Sequence, residues 1–260
     1  MSELSLPPGP RGLKFKTAMK MGLGIYSYLD DCYETYGDTF SLLLPGMAPF
    51  VWLADPVKVK DFFNLKPDQV DQSKLPIPID IGDRQTGFLN GKEHQESRKI
   101  VIPPLIAGRL HARAEVMHEI VESHLNNWKV GDQFDTPRKV GDVALDIACY
   151  SLFGLREGER KDRYAELMLG WIGAATNNTM FALGTLYGPF KFRNKLHSAY
   201  LKQTASGNFG DGKKGFFPWK QSIDLKVQLA DMMREDIRRI RRENDENATD
   251  MFSAMARSTY

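Results

Sequence analysis

The chain has 260 residues, of which 42% are hydrophobic and 26% charged, with a formal net charge of +2. That composition belongs to a soluble globular protein, and the near-neutral charge excludes a strong field for nucleic acid or an anionic membrane. Two cysteines, Cys32 and Cys149, are too few for a disulfide framework. The opening residues MSELSLPPGPRGLKF contain no apolar signal region, and no stretch approaches the ~18–20 apolar residues of a membrane span. The expectation is a cytoplasmic protein without a transmembrane anchor.

In chain order, LPPGP at 6–10 reads as a rigid extended entry. IYSYLDDCYETYG, 25–37, reads as a helix closed by Gly37. TFSLLL and FVWLA, joined by PGMAP, predict a β-hairpin over 39–54. Asp55 and Pro56 then cap and start a short helix through VKVKDFF. Residues 64–86 hold three prolines and no sustained period, and an irregular segment of that length is usually functional. Apolar spacing predicts an amphipathic helix over 112–128 and a buried one over 140–154, stopped by Gly154. One long helix is expected across RYAELMLGWIGAATNNTMFALG, and another from Ile223 to Arg242 with Leu225, Leu229, Met232, Met233, Ile237 and Ile240 on one face.

Three further features draw attention. GNFGDGKKG, 207–215, imitates a phosphate-binding loop. It lacks the preceding strand and following helix that aim backbone N–H groups at phosphate, so it reads as a flexible connector. His111, His118 and His124 have no carboxylate or cysteine to complete a tetrahedral metal set, and no metal ligand is assigned. In MREDIRRIRREN, 233–244, Glu235, Asp236 and Glu243 interleave with arginines, which reads as an ion-paired, solvated helix face.

GFLNGKEHQESRKIVIPP, 87–104, predicts about three helical turns stopped by two prolines. His94 and Arg98 lie roughly 40° apart around such a helix and share a face. Two nitrogen donors there can receive an acidic group, and arginine binds a carboxylate in a two-bond fork. An ordinary surface helix, with Glu93, Glu96 and Arg98 in exposed pairs, fits the same residues.

The ordered series LPPGP, YGDTF (36–40), VWLADPVKVKDFF (51–63) and GFLNGKEHQESRKIVIPPLIAGRL (87–110) resembles the N-terminal half of a cytochrome P450, closest to soluble bacterial members. The resemblance continues through NNWKVGDQFDT and VALDIACYSLFGL to the arginine-rich helix near 240. It implies a mainly α fold with a small N-terminal β-sheet, ending before the oxygen-activating helix. It also implies one partial domain over 1–260: a helix and β-hairpin region at 1–63, a pocket loop at 64–90 and a helical region at 91–260.

By position, the resemblance assigns His94 and Arg98 to the heme propionates. Leu105 departs from the phenylalanine usual after the proline. Ile77, Ile81, Gln85 and Phe88, with Met180 and Phe181 from the roof helix at 164–183, would face an apolar substrate. The implied activity is heme-dependent monooxygenation with O₂ and a ferredoxin and ferredoxin reductase as electron source. The family's heme-ligand cysteine loop is not found in 1–260, and neither Cys32 nor Cys149 has its glycine-rich context. No catalytic residue or axial ligand is therefore assigned, and the chain by itself is expected to be inactive. The alternatives are a heme-free binding or regulatory remnant of that fold and a nucleic-acid-binding helical protein.

Overall fold

Prolines, caps and glycines punctuate the N-terminal part of the chain. The computed structural model describes residues 5–82, 84–103, 111, 113–133, 135–243 and 250–258. The chain divides into two compact units, one formed by residues 1–91 and 176–199, the other by 92–175 and 200–260.

In the first unit, helices α1 (Lys14–Leu23) and α2 (Ile25–Tyr36) precede an antiparallel hairpin, β1 (Thr39–Leu42) with β2 (Phe50–Leu53). The hairpin falls where TFSLLL and FVWLA predicted it, and its register pairs Thr39 with Leu53 and Leu42 with Phe50. One face of α2 presents Tyr28 and Cys32 to Phe40 and Leu42, forming a small core flanked by Met21, Leu29, Tyr36 and Phe50. Gly37 adopts φ +86°, a conformation that a side chain resists, and this lets the chain leave α2 directly into β1.

The proline-rich entry lies along this hairpin, and the Ser41 amide donates to the Pro8 carbonyl at 2.8 Å. The approach is so close that a Cβ on Gly9 would overlap the Ser41 carbonyl oxygen. Gly9→Ala is expected to cost about 1–3 kcal/mol, the usual range for overpacking. Urea denaturation of the variant would measure it.

Asp55 accepts a 2.8 Å hydrogen bond from the Val57 amide and starts α3 (Pro56–Phe63), with proline in the first turn. Residues 64–90 are not structureless. They contain 3₁₀ turns at Pro67–Gln69, Gln72–Lys74 and Thr86–Phe88. Asn90 fastens the start of the second turn, donating to Asp71 at 2.6 Å and accepting from the Gln72 amide at 2.9 Å. Residues 176–199, later in the chain, complete the unit.

The second unit takes the rest of α4 (Gly91–Val101), then α5 (Ala114–Leu125), α6 (Thr136–Phe153) and α7 (Glu159–Ala175). The single long helix expected across 164–183 is in fact two. Asn177 turns its side chain onto the Met180 amide (3.0 Å) and caps a new helix, α8 (Asn178–Tyr187). Helix α9 (Pro189–Ala205) follows and carries the chain back into the second unit.

Helix α6 ends at Gly154 (φ +69°), as expected, but it begins earlier than predicted and only Cys149 along it is fully buried. Its polar Asp146 joins α5 and α7, accepting from Lys161 at 2.7 Å and pairing with His124 at 3.0 Å. Burial alone would raise the Asp146 carboxyl, yet Lys161 and His124 together hold it below its ordinary value.

The main core of this unit packs Tyr164 and Leu167 of α7 against Leu225 and Leu229 of α10 (Lys220–Glu243). Met232 and Met233 extend the same face, as the spacing predicted. Helix α11 (Met251–Arg257), capped by Asp250 through the Ser253 amide (2.7 Å), closes over α6 and α10.

Candidate functional site

Helix α4 forms over Gly91–Val101, with Glu93 in its first turn and Arg98 and Lys99 in its last, the charge order that the helix dipole favours. Ser97 is buried, His94 half-buried and Arg98 exposed. Glu96 pairs with Lys92 at 3.6 Å, four residues back. Among the described residues, no side-chain hydrogen bond or ion pair engages the His94 imidazole or the Arg98 guanidinium. The helix thus presents two nitrogen donors on one face that the neighbouring glutamates do not claim. Leu105 lies outside the described residues.

The other candidate residues, Ile77, Ile81, Gln85, Phe88, Met180 and Phe181, all belong to the first unit. Met180 and Phe88 are buried, Ile77 and Ile81 half-buried, and Gln85 and Phe181 exposed. The irregular segment is held against α8 and α9 by three contacts. Pro78 sits so close to Gly184 that a Cβ there would overlap the proline ring. Buried Asp80 pairs with His197 at 3.1 Å. The Arg193 guanidinium lies over the Phe88 ring, 4.6 Å from its centroid.

Sequence reasoning missed Arg193, His197 and Asp80. The i,i+4 spacing of Arg193 and His197 was available, but their partners lie more than a hundred residues away in the chain.

The phosphate-loop look-alike has a structural explanation. Residues 207–215 are pinned rather than free. Buried Asp224 on α10 accepts from the Gly212 amide (3.3 Å), Gln203 (2.8 Å) and Lys220 (2.6 Å). Gln228 donates to the carbonyls of Phe209 and Gly210. Gly210 has φ +66°, and a Cβ on it would overlap the Asp224 carboxylate, so the glycines serve this close approach.

The arginine-rich stretch also departs from expectation. Asp236 does not sit on a solvated face: it is 4% exposed and receives Tyr164 Oη (2.6 Å), Arg160 Nε (3.0 Å) and Arg239 Nη2 (3.0 Å). The helix turns this one acid inward because Tyr164 and Arg160 on α7 supply donors that replace its water. His118 pairs with Glu122 on the surface at 3.2 Å and His124 with Asp146, so these two histidines go to different carboxylates. Among the described residues, no group of three or more His, Cys, Asp or Glu could hold a metal ion, and no helix is long and apolar enough to cross a membrane.

Both cysteines are free and buried, and burial pushes both thiols up.

The sequence model of the family described as Cytochrome P450 matches residues 7–206. The chain belongs to the cytochrome P450 family. Similar curated proteins include cytochrome P450 135B1 of Mycobacterium tuberculosis, 24% identical over 161 residues, covering 61% of this chain and 34% of that protein. Taxoid 14-beta-hydroxylase of Taxus cuspidata is 26% identical over 177 residues, covering 64% of this chain and 34% of that one. This P450 chain therefore spans about a third of the curated relatives it matches. Among solved structures, retinoic-acid-bound cyanobacterial CYP120A1 superposes with a TM-score of 0.53 at 15% identity, covering 95% of this chain and 64% of that one. The P450 fold, mainly helical with a small two-stranded sheet, is thus shared. Membership of the P450 family implies a heme cofactor, and α4 lies within the matched region.

Proposed function

We propose that this chain is part of a heme-dependent monooxygenase, and that His94 and Arg98 hold the heme propionates. The observation that carries the reading is the pair of unclaimed donors on one face of α4, beside glutamates that pair elsewhere or not at all with them. Arg98 offers a charge-assisted fork to one carboxylate, and His94 an N–H from the preceding turn. These donors fit the anionic edge of heme. Cys32 and Cys149 lie buried within α2 and α6, not on an open loop that could face its iron.

When bound through a thiolate, heme supplies the O₂ chemistry that hydroxylates an unactivated C–H bond. The protein residues orient the group through its propionates and bring substrate to it. Residues 64–90, with Ile77, Ile81, Gln85 and Phe88, form the substrate side together with Met180 and Phe181. The apolar character of most of these side chains supports an apolar organic substrate, and the name of the Taxus relative supports hydroxylation. Electrons would come from a ferredoxin and its reductase. Since neither cysteine of this chain is suited to ligate iron, the 260 residues alone are proposed to be non-catalytic.

Titration of the chain with hemin and with hemin dimethyl ester, followed by tryptophan quenching, tests the propionate role. Arg98→Ala should weaken hemin binding about ten-fold, the value of one charge-assisted hydrogen bond, and leave the ester unaffected. Equal hemin affinity in wild type and variant, or no hemin binding by the wild-type chain, would refute the assignment. With hemin bound and reduced under CO, the chain should show no thiolate-heme band.

A further inference from the structure

The fold leaves part of the charge on α10 unanswered. Among the described residues, Arg160 of α7 and Arg238, Arg239, Arg241 and Arg242 of α10, with Glu235 and Asp236, line an open cleft of about 860 Å³. All of them belong to the second unit, and none is assigned to heme or substrate. Five arginines stand there against two acids. Glu235 approaches Arg160 at 3.7 Å, and Glu243 approaches Arg239 at 3.9 Å. Arg238 and Arg242 are exposed, lie one helical turn apart and make no hydrogen bond or ion pair among the described residues.

The other three arginines are fixed from behind. Buried Asp236 receives Arg160 Nε and Arg239 Nη2, each at 3.0 Å, so one carboxylate serves two guanidiniums. Arg241 donates its Nε to the Ala256 carbonyl at 2.8 Å, a neutral acceptor that leaves its charge unmatched. Like charges one turn apart on a helix repel each other. Guanidiniums gathered at one cleft and held by such bonds are arranged for a ligand with several negative charges close together, because each fork can take two phosphate oxygens. The volume is that of an ordinary small-molecule site.

We propose that this cleft binds a condensed phosphate, either free inorganic oligophosphate or the triphosphate group of a nucleotide. Arg238 and Arg242 supply the unpaired charges, Arg241 adds the fork that Ala256 does not use, and Arg160 and Arg239 provide a fixed positive wall. A single orthophosphate engages fewer of these forks and binds more weakly.

Calorimetric titration of the full chain with tripolyphosphate, orthophosphate and ATP, all free of divalent metal, tests the site without any need for heme. Tripolyphosphate should bind about ten-fold more tightly than orthophosphate, the effect of one further charge-assisted contact. The double variant Arg238→Gln, Arg242→Gln should weaken tripolyphosphate binding about ten-fold, and neither residue belongs to the Asp236 network that supports the fold. The double variant Arg138→Gln, Lys139→Gln on α6 removes the same charge elsewhere in the second unit and should change little. ATP bound as tightly as tripolyphosphate assigns the site to nucleotides. ATP bound about ten-fold more weakly assigns it to inorganic oligophosphate. Absence of tripolyphosphate binding by the wild-type chain, or equal affinity for tripolyphosphate and orthophosphate, overturns the proposal whatever the variants do. Unchanged binding in the Arg238, Arg242 variant, or an equal loss in both double variants, overturns the location, since net charge alone would then account for the affinity.

Discussion

Replacing Asp236 with alanine is expected to lower the unfolding free energy by about 3 kcal/mol, the cost of stripping a buried, hydrogen-bonded charge from its partners. Most of that loss falls on Tyr164, which is fully buried and would keep a hydroxyl with no acceptor. Arg160 and Arg239 are partly exposed and can return to water, so their share is small. Phe153, stacked on Tyr164 at 4.4 Å between ring centroids, transmits the disturbance into the main core.

The same residue predicts an acid limb. Burial raises the Asp236 carboxyl, but the hydrogen bonds from Tyr164 and Arg160 outweigh it and hold the group below its ordinary value. A carboxyl depressed in the folded state contributes stability that is complete above its unfolded pKa, about 4, and is lost as pH falls through the folded value. Urea denaturation at pH 7 and at pH 3 should therefore show a smaller loss between the two for Asp236→Ala than for wild type. Equal losses would remove Asp236 from the acid response, and an unchanged stability at pH 7 would show that the network is not a structural anchor.

Replacing Asp224 with alanine is expected to release residues 207–215. Asp224 is 2% exposed and holds the Gly212 amide, Gln203 and Lys220 at once, so its loss removes the buried tie between the loop and α10 and leaves the bonds from Gln228 and Lys220. Trypsin should then cut after Lys213 or Lys214 about ten-fold faster, since cleavage follows the population of the opened segment. The rate at other lysines should hardly move. A tryptic pattern like that of wild type would mean that Gln228 and Lys220 are enough to secure the loop. Lys220 reinforces the arrangement by also pairing with Asp211, whose carboxyl it and the Lys213 amide pull down to about 2.

The elements that were legible in advance are those decided within a few residues. Asp55 and Pro56 start α3 because the cap acts two residues along the chain. Gly154 stops α6 and Gly37 stops α2 because each adopts a positive φ at the point where the helix must end. The hairpin over 39–54 follows from alternation and an intervening turn. His94 and Arg98 share a face because four residues make roughly one turn of α4. Even so, local signals can compete: the break between α7 and α8 depends on Asn177 capping Met180, one asparagine choosing the backbone over the helix interior.

By itself, the sequence determined the helical class, the small sheet, the caps and the pair of donors on α4, together with an ordered series of segments specific enough to indicate the cytochrome P450 family. Only the tertiary structure decided which charges are buried. Asp236 meets Tyr164 from 72 residues away, and Asp80 meets His197 from 117. Asp224 takes up the space that makes glycine necessary at 210, and Phe88 lies beneath Arg193. Capping and periodicity act through bonds a few residues long. Burial of a charge depends on whether a distant element brings a donor, an acceptor or an aromatic face to replace water, and that is set by packing.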